Sequence, residues 1–316
     1  MSTKTAVVQA KNKKSLGQRF VKEMASNYEL YIMILPVIAY YIIFCYGPMY
    51  GVLMAFQDYK PMLGVAGSPW VGFDHFAAFF NSVNFFRLLK NTLTISVVSL
   101  LFGFPAPIIL ALSINEVKTR WFAKTVQTVT YIPHFISMVV VCAIVREFTA
   151  DTGVVNQLFQ VFGYSGKTML SRSELFVPIY VLSGIWQEVG WGSIIYLAAL
   201  SGVDRQLYEA AEIDGAGKWK QMIHITLPSI LPTIIILFIM RMGTLLSVGY
   251  EKVLLLYNAG IYDTADVIST YVYRLGFQNA SYSASTAIGL FNSVVNIFLI
   301  LTTNFISSKV SETSLF

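Results

Sequence analysis

Thr92-Leu-Thr-Ile-Ser-Val-Val-Ser-Leu-Leu-Phe-Gly-Phe-Pro-Ala-Pro-Ile-Ile-Leu-Ala-Leu-Ser-Ile-Asn115 runs on without a single charged side chain. As a helix, a run of this length crosses the roughly 30 Å hydrocarbon core of a bilayer. The apolar residues are continuous and do not alternate, which favours a helix over the barrel strand, the other backbone arrangement that satisfies its own hydrogen bonds in lipid. Similar runs recur at about 30–55, 128–147, 176–200, 229–249 and 285–307, so the sequence predicts an all-α polytopic membrane protein with about six transmembrane helices. Composition agrees. Hydrophobic residues make up 55% of the 316 and charged residues 12%, with a mean hydropathy of +0.62. Soluble domains carry about 25% charged residues, so two soluble domains, the expectation from length alone, are excluded. Pro36, Pro105 and Pro107 interrupt spans, where neighbouring helices are expected to stabilise the kinks.

The net charge of +5 and pI near 9.0 read as orientation signals rather than as a nucleic-acid surface. With the N-terminus inside, thirteen Lys and Arg fall in inside segments and eight in outside loops, Lys252 and Arg274 among the latter. The basic cluster Lys11, Lys13, Lys14, Arg19 and Lys22 lies close to the first span, where the bias counts most, so both termini are expected in the cytoplasm. Residues 1–29 form a polar N-terminal segment, too polar for a signal peptide. In it Leu16, Phe20 and Met24 fit either a short interfacial helix or an unstructured tail. Residues 30–307 are the membrane domain and 308–316 a cytoplasmic tail. Cys45 and Cys142 lie within apolar runs and read as unpaired packing residues. In the outside loops, the aromatics between Trp70 and Phe86 suit a belt at the interface, and Val253–Tyr257 is too short to span and is expected to pack on the bundle.

The inside loop at 204–228 carries the strongest functional signal. It contains Glu209-Ala-Ala211, then Gly215 four positions on, then Ile225, Leu227 and Pro228. Ser201 and Asp204 offer an S-x-x-D start signal for a helix over Tyr208–Ile213. Gly215 and Gly217 stop it, Met222–Thr226 forms a second short element, and Pro228 is expected to open the fifth span. The pattern resembles the EAA signature of the permease subunits of ABC importers, matching every anchor position at the family's spacing. Trp70-Val-Gly-Phe73, Asn91-Thr-Leu93, Gln127, Tyr131-Ile-Pro-His-Phe-Ile-Ser137, Asp151-Thr-Gly153, Gly190-Trp-Gly192, Tyr196-Leu-Ala-Ala199 and Tyr273-Arg-Leu-Gly276 further resemble the maltose-permease-like sugar branch. Within that branch they are most similar to permeases for complex oligosaccharides and polysaccharide fragments.

The resemblance, which runs from about residue 30 to the end, implies a type I ABC importer permease fold in a bacterial cell membrane. It implies as partners a homologous second permease, two ATPase subunits, an extracytoplasmic solute-binding protein and a carbohydrate. It also implies that Glu209, Ala210, Ala211, Asp214, Gly215, Ile225, Leu227 and Pro228 couple to the ATPase. ATP and Mg²⁺ would then be bound by that partner, with no cofactor, metal or catalytic residue in this chain. The residues agree: Gly166-Lys167-Thr168 lacks the glycine a phosphate loop needs at 161, where Val161 stands. His75, His134 and His224 show no metal-ligand spacing, and no G-x-S-x-G turn occurs.

Polar groups inside spans tend to face a bundle interior or an aqueous cavity. Asn292 and Asn296 share a face of the last span with Ser285 and Gly289, and suit either sugar hydroxyls or helix–helix hydrogen bonding. Trp186, Gln187, Glu188 and Trp191 on the fourth span, and Tyr250 and Glu251 at the end of the fifth, offer aromatic faces and carboxylates for a sugar. Their alternative is an interfacial belt with a helix-paired Glu. Arg241, near the middle of the fifth span, is expected to pair within the protein, with Glu188 a possible partner, or to face an anionic sugar. A secondary transporter would need ion-coupling carboxylates in its spans and inverted repeats; Glu188 is the one clear intramembrane carboxylate, and no repeat is evident. A permease for a non-sugar solute is the nearest alternative.

Overall fold

The computed structural model describes residues 26–163, 167–310 and 314–315; the interfacial helix expected around Leu16–Met24 lies outside them. Helix is the regular structure throughout the described residues, and the one bridge pairs Gln57 with Trp70. Two compact units emerge, Met1–Leu53 and Met54–Phe316. The first contributes helix α1 (Tyr28–Tyr40), extended through a π turn at Tyr41–Tyr46. None of its residues from Tyr28 to Leu53 is buried, as suits a helix whose apolar side chains face lipid or another protein. Pro36 sits inside α1 without breaking it.

The second unit holds the helical bundle. Helices α2 (Asp74–Phe80), α3 (Asn84–Gly103) and α4 (Pro105–Asn115) lead into α5 (Arg120–Tyr131) and α6 (Met138–Thr149). The long α7 (Ser173–Ser201) follows, then the short α8 (Arg205–Ile213) and α9 (Lys218–Gln221). Next come α10 (Leu227–Met242), α11 (Tyr250–Leu256), α12 (Ile268–Tyr273) and α13 (Tyr282–Val310). Pro105 at the first position of α4 marks the break between α3 and α4, where its missing N–H costs little.

Among the described residues, four helical stretches are long and apolar enough to cross a membrane: Tyr28–Phe56, Asn84–Asn115, Lys218–Met242 and Tyr282–Val310. Two of the six expected spans depart from simple rods. The third, expected over 128–147, is broken: Arg120–Phe135 and Met138–Gln160 meet at 103°. Pro133 lies in the 3₁₀ turn that ends the first piece, and Ser137 starts the second, its hydroxyl accepting from Val140 N. The fourth, α7, has 29 residues but is diluted by Ser183, Gly184, Gln187, Glu188, Gly190 and Ser193. It needs less apolar surface because it packs against α3, α4, α5, α10 and α11. Gly190 allows the closest of these approaches, since a Cβ there would lie 2.1 Å from the Thr130 carbonyl oxygen of α5.

Two apolar clusters hold the bundle around α7. One joins Ile95, Cys142, Phe176 and Val253, the other Ala111, Tyr196, Leu200 and Ile230. Both cysteines are free, and Cys142 is buried. The segment between α10 and α13 is fixed by a buried acid. Asp266, fully enclosed, receives both terminal nitrogens of Arg274 at 2.8 and 2.6 Å, with Arg87 at 3.6 Å and Thr270 at 2.8 Å. Burial alone would favour loss of the Arg274 charge, but its bonds to Asp266 and Tyr257 outweigh this and hold the guanidinium above its ordinary range. Tyr250–Leu256 packs on the bundle with Val253 and Leu256 buried, and with it Lys252, a placement the loop reading did not foresee.

Candidate functional site

At one end of the bundle, residues 204–228 form a compact projection. Asp204 is the N-cap of α8, its carboxylate accepting from Gln206 N at 2.9 Å. Ser201 plays no part in that cap; its hydroxyl donates to Ala198 O at the end of α7. The chain leaves α8 through a Schellman turn: Ala216 N donates to Ala211 O at 2.8 Å and Gly215 N to Glu212 O at 3.1 Å. Gly215 stands at the left-handed position, φ +76°, which glycine takes without strain.

Lys218 then opens a helix that runs through a π turn at Met222–Thr226 directly into α10. The fifth span therefore starts at Lys218 rather than at Pro228. Pro228 falls two residues past the π turn, where the helical bonding is already rearranged. Tyr208 hydroxyl meets Thr226 hydroxyl at 2.9 Å and closes the projection on itself. Glu209, Ala210, Asp214, Gly215, Leu227 and Pro228 are exposed, and Ala211 and Ile225 half-buried. Leu207, Ile213 and Trp219 add exposed apolar surface, with Ile213 87% accessible. Sequence reading missed these three, although apolar residues left among the charges of two short helices were a usable signal.

Along α7, away from that projection, lies a cavity of about 570 Å³, within the ~300–1,000 Å³ common for small-molecule sites. Glu188 and Trp191 of α7 line it, with Gln187, Tyr180, Arg241 and Lys252. His134 organises one wall. Its Nδ1 donates to Glu188 Oε2 at 2.9 Å, and its ring stacks on Trp191 at 4.4 Å and 2°. Glu188 thus pairs with His134 rather than with Arg241. Nothing in the sequence could announce this, because the two residues stand 54 positions apart.

Trp186, on another side of α7, and Tyr250 and Glu251, at the start of α11, lie beside the cavity lining rather than in it. Asn296 is buried, its Oδ1 accepting from Leu246 N at 3.0 Å and its Nδ2 donating to Ser247 Oγ at 3.1 Å, so it ties α13 to the segment between α10 and α11. Asn292 is half-buried on the same helix, its Oδ1 without a partner among the described residues. Among the described residues no group of His, Cys, Asp or Glu could hold a metal ion.

Comparison with known proteins places this architecture. Residues 103–312 match the family model "Binding-protein-dependent transport system inner membrane component". The chain is 48% identical to protein LplB of Bacillus subtilis, covering 91% of each chain. It is 45% identical to the polygalacturonan/rhamnogalacturonan transport system permease protein YteP of the same organism, over 96% of this chain and 95% of that one. Among solved structures it is similar, at 47% identity and a TM-score of 0.86, to a chain of a bacterial ABC transporter that imports the acidic polysaccharide alginate. That likeness covers 93% of this chain and 99% of the other. A chain of a bacterial alginate ABC transporter in complex with an alginate pentasaccharide-bound periplasmic protein matches equally well. With a family model covering most of the bundle and such relatives spanning nearly the whole of both chains, this chain belongs to the binding-protein-dependent transport system inner membrane components, multi-pass proteins of the cell membrane.

Proposed function

We propose that this chain is one of two permease subunits of an ATP-driven importer, and that the pair forms the path for an oligosaccharide or polysaccharide fragment. The observation that carries the reading is the cavity beside α7, where Trp191 presents an aromatic face and Glu188 and Gln187 present hydrogen-bonding groups. Aromatic faces suit the C–H surfaces of sugars and the polar groups suit their hydroxyls. Relatives named for polygalacturonan, rhamnogalacturonan and alginate support a carbohydrate substrate. Glu188 and Trp191 are the first candidates for contact, with Trp186, Tyr250 and Glu251 beside them. Asn292 and Asn296 would reach the sugar only after a rearrangement of α13.

In this reading both termini are cytoplasmic, and the projection at 204–228 seats on a separate ATPase. That partner binds ATP and Mg²⁺, while a binding protein delivers the sugar from outside. Glu209, Asp214 and the exposed Leu207, Ile213 and Trp219 supply charge and apolar surface for the docking. Movement of the projection shifts the bundle between outward- and inward-open states through contacts that differ in the two states. The test is uptake into proteoliposomes holding both permeases, the ATPase and the binding protein. Defined oligosaccharides should accumulate only with ATP. Uptake of a non-sugar solute that no oligosaccharide inhibits would replace the substrate assignment. Uptake driven by an ion gradient without the ATPase would replace the mechanism.

A further inference from the structure

The cavity holds more positive charge than its sequence position suggested. Lys252, from α11, is only 5% exposed. Its Nζ donates to Tyr180 O at 2.9 Å and lies 4.7 Å from the centre of the Tyr180 ring. An ammonium group has three donors, so the backbone bond leaves two unused. Gly184 makes room for it, since a Cβ there would come within 3.1 Å of Nζ. Arg241, from the last turn of α10, lines the same cavity and is an exposed residue. Among the described residues, neither cation has a carboxylate within 4.0 Å.

Glu188, the acidic group in the lining, is engaged by His134 at 2.9 Å. With Arg241 and Lys252 both charged, these ionisable side chains sum to a positive charge whether or not His134 is protonated. Cations lining a cavity with no carboxylate in direct contact are costly, and they mark the paths of ligands that supply one.

We infer that Arg241 and Lys252 read the carboxylates of an acidic saccharide in this cavity, while Trp191 takes its apolar face. This rests on the saccharide reading above and narrows it to a uronate-bearing chain. The guanidinium fork fits a carboxylate through two parallel bonds, and the ammonium adds a point charge from a second helix. A neutral saccharide of the same length would leave both cations unpaired, so the cavity discriminates against it.

The test uses the full importer in nanodiscs, with both permeases and the ATPase, held with a non-hydrolysable ATP analogue and without the binding protein. Two fluorescent probes are titrated: a trigalacturonate and the same trisaccharide with its carboxyls reduced to alcohols. Wild type should bind the trigalacturonate more tightly, and more so at low ionic strength. Lys252→Met and Arg241→Gln should each weaken trigalacturonate by about tenfold more than they weaken the reduced sugar, and should flatten its salt dependence. Arg241→Lys, which keeps the charge, should retain most of the preference. Equal losses for both probes in the variants would mean a packing role and overturn the inference, as would unchanged trigalacturonate binding. If wild type binds the two probes equally, the inference fails while the saccharide reading stands; if it binds neither, the saccharide reading fails and takes the inference with it.

Discussion

Gly215 offers the sharpest perturbation of the projection. Its φ of +76° lies in the left-handed region, and a Cβ built on it meets nothing within 4 Å. Within this chain a side chain there is therefore opposed by backbone conformation and not by crowding. An L-residue forced into that conformation costs about 1–2 kcal/mol, which lowers the population of the native turn roughly 5- to 30-fold relative to alternatives. Asparagine tolerates the conformation better than alanine, and a β-branched residue tolerates it worst. Sugar imported per ATP hydrolysed, measured in proteoliposomes, should therefore fall in the order Gly, Asn, Ala, Val at position 215. The amount of each variant reaching the membrane should stay the same, because the bundle around α7 does not depend on the turn. Wild-type coupling in Gly215→Ala would refute the reasoning. So would equal failure of Asn, Ala and Val, since that would mean the partner needs space at this position and not a particular backbone angle.

Three further outcomes follow from the packing. Asp266→Ala would leave Arg274 and Arg87 without their buried counter-charge; removing one partner of such a cluster costs about 3–5 kcal/mol and should lower the midpoint of thermal unfolding in detergent. Gly190→Ala would push a methyl against the Thr130 carbonyl and should cost about 1–3 kcal/mol through separation of α5 and α7, read as a lower midpoint without loss of membrane insertion. Asp204→Ala removes the cap on Gln206 N and should loosen α8 by about 1 kcal/mol, seen as faster amide exchange over residues 205–213 while exchange in α7 is unchanged.

Much of this architecture is legible in the sequence because lipid imposes long apolar runs: the uncharged stretch 92–115 declares a span directly. The reading falters where protein replaces lipid. Helix α7 is long enough to cross but polar at its middle, since that part faces other helices and a cavity. The third span looks continuous in composition, yet Pro133 and Ser137 divide it into two pieces meeting at 103°. The turn at Gly215 was legible because it is local, the glycine's conformational freedom and the two hydrogen bonds across it arising within a few residues.

The cavity was only partly legible, for the opposite reason. Glu188 and Trp191 stand out as polar and aromatic groups in a span, but the partner of both is His134, brought in from α5's end of the chain by the fold. Lys252 looked like one of the charges that set orientation, and only the packing of α11 against α7 takes it out of solvent. Asn296 shows how a polar stripe divides on folding. It satisfies two groups in the segment that follows α10 and so acts as a tie within the bundle in this conformation.

The central claim is that this chain moves saccharide through the cavity beside α7 in response to an ATPase it does not contain. Its most direct test places a photoreactive trisaccharide inside the reconstituted importer during ATP-driven uptake and maps the crosslinked peptides of this chain. The account predicts labelling around Glu188–Trp191 and Arg241–Lys252 that disappears when the ATPase is omitted or unlabelled saccharide is in excess. Sustained uptake with labelling confined to other parts of the bundle, or labelling and uptake that persist without the ATPase, would contradict it.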